Sequence, residues 1–171
     1  LNCINNSLKI MNTNLLDLKS LNNFSPKICS IKKILEEGIK LSQVYICEKD
    51  IKITSDLQTD ANVYIDENKF LACIVNIIKN AIEAISKEGE IRISLQLADG
   101  KAHIKISNNG EAISKEKQKA IFEEGFTTKP TGSGLGLHIC ANNLKAQNAI
   151  LQLAESTPEK TVFEIVLPLY K

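Results

Sequence analysis

One stretch constrains this chain more than any other. Across residues 66–87, Phe70, Ile74, Ile77, Ile78, Ala81 and Ile85 recur at helical spacing on one side, while Asn76, Asn80 and Glu83 recur on another. That pattern predicts a helix with one buried face and one amide-bearing face. A hairpin follows it directly: Ile91, Ile93, Leu95 and Leu97 alternate with polar residues, Asp99-Gly100 supplies a tight turn, and Ala102, Ile104 and Ile106 resume the alternation. Helix and sheet are therefore expected in one domain.

With 171 residues the chain is long enough for one well-buried domain and a short appendage, but too short for two full domains. Its net charge of +1, with 24% charged residues, gives no nucleic-acid footprint, and none is expected as a partner. No apolar run approaches the roughly 18 residues of a membrane span, and the opening LNCINNSLKI lacks the basic start and apolar middle of a signal peptide. Because residue 1 is Leu, a longer parent is expected. The cysteines Cys3, Cys29, Cys47, Cys73 and Cys140 form no CxxC pair and are odd in number. They read as small buried hydrophobes in a reducing, cytoplasmic compartment.

The first segment carries Leu1, Ile4, Leu8, Met11, Leu15 and Leu18, spaced alternately three and four apart. This is either the seam of a helical bundle or an amphipathic helix lying on its own domain. Asn22, Asn23, Ser25 and Pro26 end it. Helical spacing resumes over 28–46 through Ile28, Ile31, Ile34, Leu35, Ile39 and Leu41. Short strands are expected around Ile51 and Ile53 and around Val63 and Ile65, and a closing hairpin joins AILQLA to TVFEIVLPL through Thr157 and Pro158. His103 shares its strand face with Lys105 and the polar set Arg92, Ser94 and Gln96, so it reads as a solvated sheet residue.

Three clusters carry chemistry. Asn76 and Asn80 lie one helical turn apart, so their amide oxygens can point into one small volume. Mg²⁺ prefers oxygen ligands and usually takes only one or two from protein, which an Asn pair satisfies; a plain polar helix surface has the same pattern. In GSGLGL at 132–137, Gly132, Ser133, Gly134, Leu135, Gly136 and Leu137 form a glycine-rich turn that feeds a helix continuing through Ile139 and Leu144. Free N–H groups at such a start face anions, although glycine turns also serve as simple bends. Lys129 can bring positive charge to the same anion, with the Thr127 and Thr128 hydroxyls beside it. At SNNGEAI, residues 107–113, a strand runs into a turn at Gly110, where α/β folds place ligand contacts.

Together, NIIKNAIEA at 76–84, SNNGEAI at 107–113, FEEGFTTK at 122–129 and TGSGLGLHI at 131–139 resemble the N, G1, F and G2 boxes of the histidine-kinase ATP-binding domain, in the superfamily shared by Hsp90, MutL and gyrase. The likeness covers residues 60–171. It implies an α+β chain with a two-layer α/β sandwich, the Bergerat fold, in which helices cover one face of a mixed sheet. Residues 1–25 would be the second helix and linker of a dimerisation and phosphotransfer hairpin, and 26–171 the catalytic domain. The resemblance further implies ATP and Mg²⁺, with Asn80 holding the metal and Asn76 assisting. Lys129, Thr128 and the glycine backbone would take the phosphates. Asn108, Gly110, Ala112 and Ile113 would lie at the base, and Phe122 in the F box. Implied partners are a phosphoacceptor histidine helix, a response regulator and a second copy of the parent protein.

Asn76 stands where the ATP-hydrolysing members have a Glu that activates water, which favours transfer to an external histidine over hydrolysis. Two other positions depart from the family pattern. Asn108 replaces an Asp that accepts the adenine amine, and Ala112 replaces the second Gly. An amide carbonyl is still an acceptor, so the expected loss is the charge assistance, about 1 kcal/mol or about fivefold in affinity. Ala112 adds a cost if its turn needs positive φ. The alternatives are a degenerate docking module on the same fold, and a Ser/Thr kinase of the anti-sigma class.

Overall fold

A computed structural model of the protein describes residues 24–126 and 136–171. In chain order the elements are β1 (Lys27–Ser30), α1 (Ile31–Ser42), β2 (Asp50–Asp56), β3 (Asn62–Ile65), α2 (Glu67–Ala84), β4 (Glu88–Ala98), β5 (Lys101–Asn108), the single turn α3 (Lys115–Gln118), α4 (Gly136–Lys145), β6 (Ile150–Ser156) and β7 (Thr161–Pro168). The heptad segment at 1–23 lies outside the described residues.

The helix foreseen at 66–87 is α2, three residues shorter at its end. Asp66 caps its start: the backbone there is extended, and one carboxylate oxygen accepts from the Lys69 amide at 3.1 Å. Such a cap contributes about 1 kcal/mol. The other Asp66 oxygen accepts from the Ser25 amide at 2.9 Å, so Ser25 is already fastened to this domain. At the far end, the carbonyls a helix leaves open find partners before the apolar spacing runs out. Lys49 Nζ donates to the Ile82 and Ile85 carbonyls at 2.9 and 2.6 Å, and the Glu111 amide donates to Ala84 O at 2.9 Å. Ile85 then turns extended into β4.

The expected helix from residue 28 is corrected at its start. Lys27–Ser30 is a strand, paired antiparallel with β3, and Ile28 is exposed on it. Ser30 sets the switch: its hydroxyl accepts from the Lys33 amide at 3.2 Å as the cap of α1 and donates to the Asp60 carboxylate at 2.8 Å. An i, i+3 spacing of Ile28 and Ile31 cannot reveal this, because the alternation of so short a strand is indistinct.

The main sheet has the order β2-β4-β5-β7-β6, with β2 parallel to β4 and the other pairs antiparallel. A parallel neighbour needs a crossover, which the β3–α2 segment supplies. Asp99 and Gly100 both have positive φ, at 52° and 71°, as the tight turn between β4 and β5 requires. One sheet face, carrying Ile91, Ile93, Leu95, Ile104, Ile106, Phe163, Ile165 and Leu167, packs in a single core with α1, α2 and α4. The expected mixed sheet with helices on one face is therefore what forms. Cys29, Cys73 and Cys140 are buried as foreseen, whereas Cys47 is exposed in a turn at positive φ. Among the described residues no helix is long and apolar enough to cross a membrane.

Candidate nucleotide site

α2 carries Asn76 and Asn80 on the side away from its fully buried residues, and both are half-buried. The α4 start closes on this helix from one direction. A Cβ built on Gly136 would lie 2.8 Å from Asn76 Nδ2 and 3.0 Å from its Oδ1, so only glycine lets the α4 backbone approach so closely. One turn further along α4, Cys140 Sγ accepts from Asn76 Nδ2 at 3.4 Å. The last glycine of GSGLGL thus docks against the first asparagine of NIIKN. Leu137 is half-buried against the core. Thr128, Lys129, Gly132, Ser133, Gly134 and Leu135 lie outside the described residues.

From the other direction comes the turn after β5. Asn108 continues the inward row of Ile104 and Ile106, and only 4% of its surface is exposed. Its Oδ1 accepts from the Gly110 amide at 3.0 Å. A Cβ on Gly110 would lie 2.5 Å from both the C and O atoms of Ala84, so the turn is pressed onto the α2 terminus, backbone against backbone. Asn109 secures it on the strand side, where its Oδ1 accepts from the Glu90 amide at 2.8 Å. Ala112 is not among the described residues with positive φ, so the methyl it adds to the family pattern brings no backbone strain. The Ile113 amide donates to Ser156 Oγ at 2.9 Å, and its carbonyl accepts from Gln118 Nε2 at 2.8 Å.

Phe122 packs edge-on to Phe163, with ring centroids 6.3 Å apart. His138 on α4 reaches back to it. Nδ1 lies 3.0 Å from the Phe122 carbonyl, which can only accept, so Nδ1 carries a proton; Nε2 lies 3.0 Å from Asn142 Nδ2 and accepts from it. This clasp joins the residues just before and just after the 123–135 segment. His103 sits on the open sheet face as expected, but it is not simply solvated, because Nδ1 lies 3.3 Å from Glu164 Oε1.

Sequence reasoning passed over Thr161. It pairs across from Asn108, is 2% exposed, and shares a hydrogen bond with Ser156 at 2.9 Å. The signal was present: Thr161 is the one polar residue in phase with Phe163, Ile165 and Leu167.

For a divalent cation, the amide oxygens of Asn76 and Asn80 are the donors α2 offers. They fit a metal that needs few protein ligands and prefers oxygen. Among the described residues no group of three His, Cys, Asp or Glu side chains converges. Two surface depressions, one edged by Asp50, Lys52, Glu88, Gly89 and Asn109 and the other on the open sheet face, contain neither Asn76 nor Asn80.

Residues 65–171 match the family described as histidine kinase-, DNA gyrase B-, and HSP90-like ATPase. The chain belongs to this family. Within it, sporulation kinase C of Bacillus subtilis (strain 168) is 34% identical over 139 residues, covering 81% of this chain and 31% of that protein. The chain thus spans about a third of the length of this curated relative. The solved catalytic domain of histidine kinase ThkA is 26% identical with a TM-score of 0.72, covering 84% of this chain and 95% of that one. The structure of ThkA in complex with response regulator protein TrrA gives a TM-score of 0.75 at 24% identity, over 99% of this chain and 50% of that one. In sequence and fold the chain carries the ATP-binding catalytic domain of the sensor histidine kinases in this family.

Proposed function

We propose that this chain is the part of a sensor histidine kinase that binds Mg-ATP and delivers its γ-phosphoryl group to a histidine on a separate helix. The observation that carries the reading is the docking of Gly136 against the Asn76 amide, which brings the end of the glycine-rich turn to the asparagine pair of α2. Asn80, with Asn76 assisting, would hold Mg²⁺. When bound, Mg²⁺ supplies positive charge against the phosphate oxygens. Lys129, Thr128, Ser133 and the backbone of Gly132, Gly134 and Gly136 would hold the phosphates. Asn108, Thr161, Gly110, Ala112 and Ile113 would form the base end, with Phe122, Leu135 and Leu137 bordering the segment between.

The chain's own residues position rather than react. Asn76 is an amide and cannot take a proton from water, which supports phosphoryl transfer over hydrolysis. Both ring nitrogens of His138 are engaged by Phe122 and Asn142, and His103 is tied to Glu164 on the open sheet face. Neither supports a role as acceptor. The acceptor would lie on the phosphotransfer helix of the same protein or its dimer partner, with 1–25 as a partial second helix and linker, 26–171 as the catalytic domain, and a response regulator as the final recipient in the cytoplasm.

Calorimetric titration of the chain with ATP, with and without Mg²⁺, tests this. Binding that strengthens with Mg²⁺ and weakens in Asn80→Ala is the expected result. No heat at millimolar Mg-ATP would overturn the proposal and leave the docking-module reading.

A further inference from the structure

We infer that the base end of this site accepts 6-oxopurine nucleotides, guanine or hypoxanthine, alongside the 6-aminopurine of ATP, because Asn108 presents a hydrogen-bond donor where a carboxylate would present an acceptor. The inference rests on the nucleotide-binding reading above and specifies which nucleotides that site takes.

The orientation of the Asn108 amide follows from its one side-chain partner among the described residues. A backbone N–H can be accepted only by the amide oxygen, and Gly110 N lies 3.0 Å from Oδ1. The nitrogen therefore faces the other way. Nδ2 makes no hydrogen bond to the described residues, and no fully buried polar side-chain atom among them lacks a partner. Nδ2 is therefore not fully buried, although the residue as a whole is only 4% exposed.

Inverting the amide would set its NH₂ against the Gly110 N–H and leave that amide without an acceptor. Gly110 has no freedom to back away, since its Cα is pressed against Ala84 and Glu111 N is bonded to Ala84 O at 2.9 Å. Asn108 itself is held on both sides, paired with Ile91 and with Thr161. The orientation of the amide is thus fixed, on a residue in the inward row of β5. On this inference the Asn108 carbonyl does not simply substitute for a carboxylate at a cost of charge alone.

A carboxylate at this position offers a second acceptor oxygen and selects a base that carries an exocyclic amine. Nδ2 instead complements the O6 carbonyl of a 6-oxopurine, and the remaining Oδ1 lone pair still serves an amine. Discrimination between the two purine classes should fall accordingly, since an amide has one pole for each.

The test is competitive titration of the 171-residue chain with ATP, GTP and ITP in the presence of Mg²⁺. GTP and ITP are expected to bind within about tenfold of ATP, a narrow gap for a site whose base contact discriminates. ITP separates a reading of O6 from one of the guanine 2-amine and should follow GTP. Asn108→Asp should tighten ATP and weaken GTP and ITP, moving their ratio by tenfold or more. Wild-type preference for ATP over both 6-oxopurines by more than about a hundredfold would overturn the inference while leaving nucleotide binding intact, and needs no variant to fold. An unchanged ratio in a folded Asn108→Asp protein would overturn it too. Binding of none of the three nucleotides would remove the underlying function along with it.

Discussion

The two segments that close on α2 are held by different kinds of contact. The Asn108–Gly110 turn meets the helix backbone to backbone: Gly110 lies against Ala84, the Glu111 amide bonds to Ala84 O, and Lys49 occupies the two neighbouring carbonyls. The α4 start meets it through side chains, with Gly136 and Cys140 against the Asn76 amide and His138 on the Phe122 carbonyl. Backbone atoms cannot step aside, whereas an amide can rotate. A change at the backbone contact of the first wall, Gly110, should therefore appear as lost stability, and a change at the side-chain contacts of the second as altered ligand binding in a folded protein.

The sharpest attempt to break that contrast is Gly110→Ala. Its new Cβ would meet Ala84 C and O at 2.5 Å, and overpacking against fixed backbone costs about 3 kcal/mol. Thermal melting should show a loss of roughly 6–12 °C for a chain of this size. An unchanged melting temperature would mean that this wall yields as readily as the other.

Gly136→Ala is the counterpart. Its Cβ would lie 2.8 Å from Asn76 Nδ2, a rotatable group, so stability should change by less than about 1 kcal/mol. The displaced amide gives up its bond to Cys140, and Mg-ATP affinity should fall about tenfold, or about 1.4 kcal/mol. Measured together by melting and titration, the two alanines separate a structural wall from an adjustable one. His138→Leu comes next. It removes the bond to the Phe122 carbonyl, worth about 1 kcal/mol, and should raise amide hydrogen exchange around Phe122 more than around Gly110.

How much of this was legible follows the same division. Phe70 to Ile85 displayed the α2 face plainly, and Asp99-Gly100 displayed its hairpin, because helical spacing and left-handed turns leave local marks. Asn76, Asn80 and the glycines could be named as a set because they cluster in sequence. What could not be read were contacts between distant segments. Lys49, whose side chain helps close α2 before residue 87, lies more than thirty positions upstream of the carbonyls it meets. Ser30 caps α1 through the Lys33 amide while bonded to Asp60 from another loop, and Ile28 before it pairs with Tyr64 of β3. The carbonyl of Asn108 was spoken for by Gly110, two residues away, yet the turn geometry that decides it depends on Ala84.

The smallest expected effect lies on the open face of the sheet and serves as the control for both walls. There Glu164 sits with His103 at 3.3 Å and Gln152 at 2.6 Å, and Lys105 is the other charge beside it. Burial pushes its carboxyl up, but the hydrogen bonds from Gln152 and His103 and the two nearby positive charges outweigh that and hold it below the usual range. A carboxyl lowered by folding binds fewer protons in the folded than in the unfolded chain. Its contribution is then complete above the ordinary glutamate value of 4.5 and is lost as pH falls through the lower folded value. Glu164→Gln should accordingly give a shallower decline of melting temperature below pH 4.5 than the parent chain shows. Mg-ATP affinity at neutral pH should not change, since this side chain is on the sheet face turned away from α2. A shift in affinity from this position would show that the sheet itself transmits to the site, and the division between a fixed and an adjustable wall would then have to include a third, deformable layer beneath them.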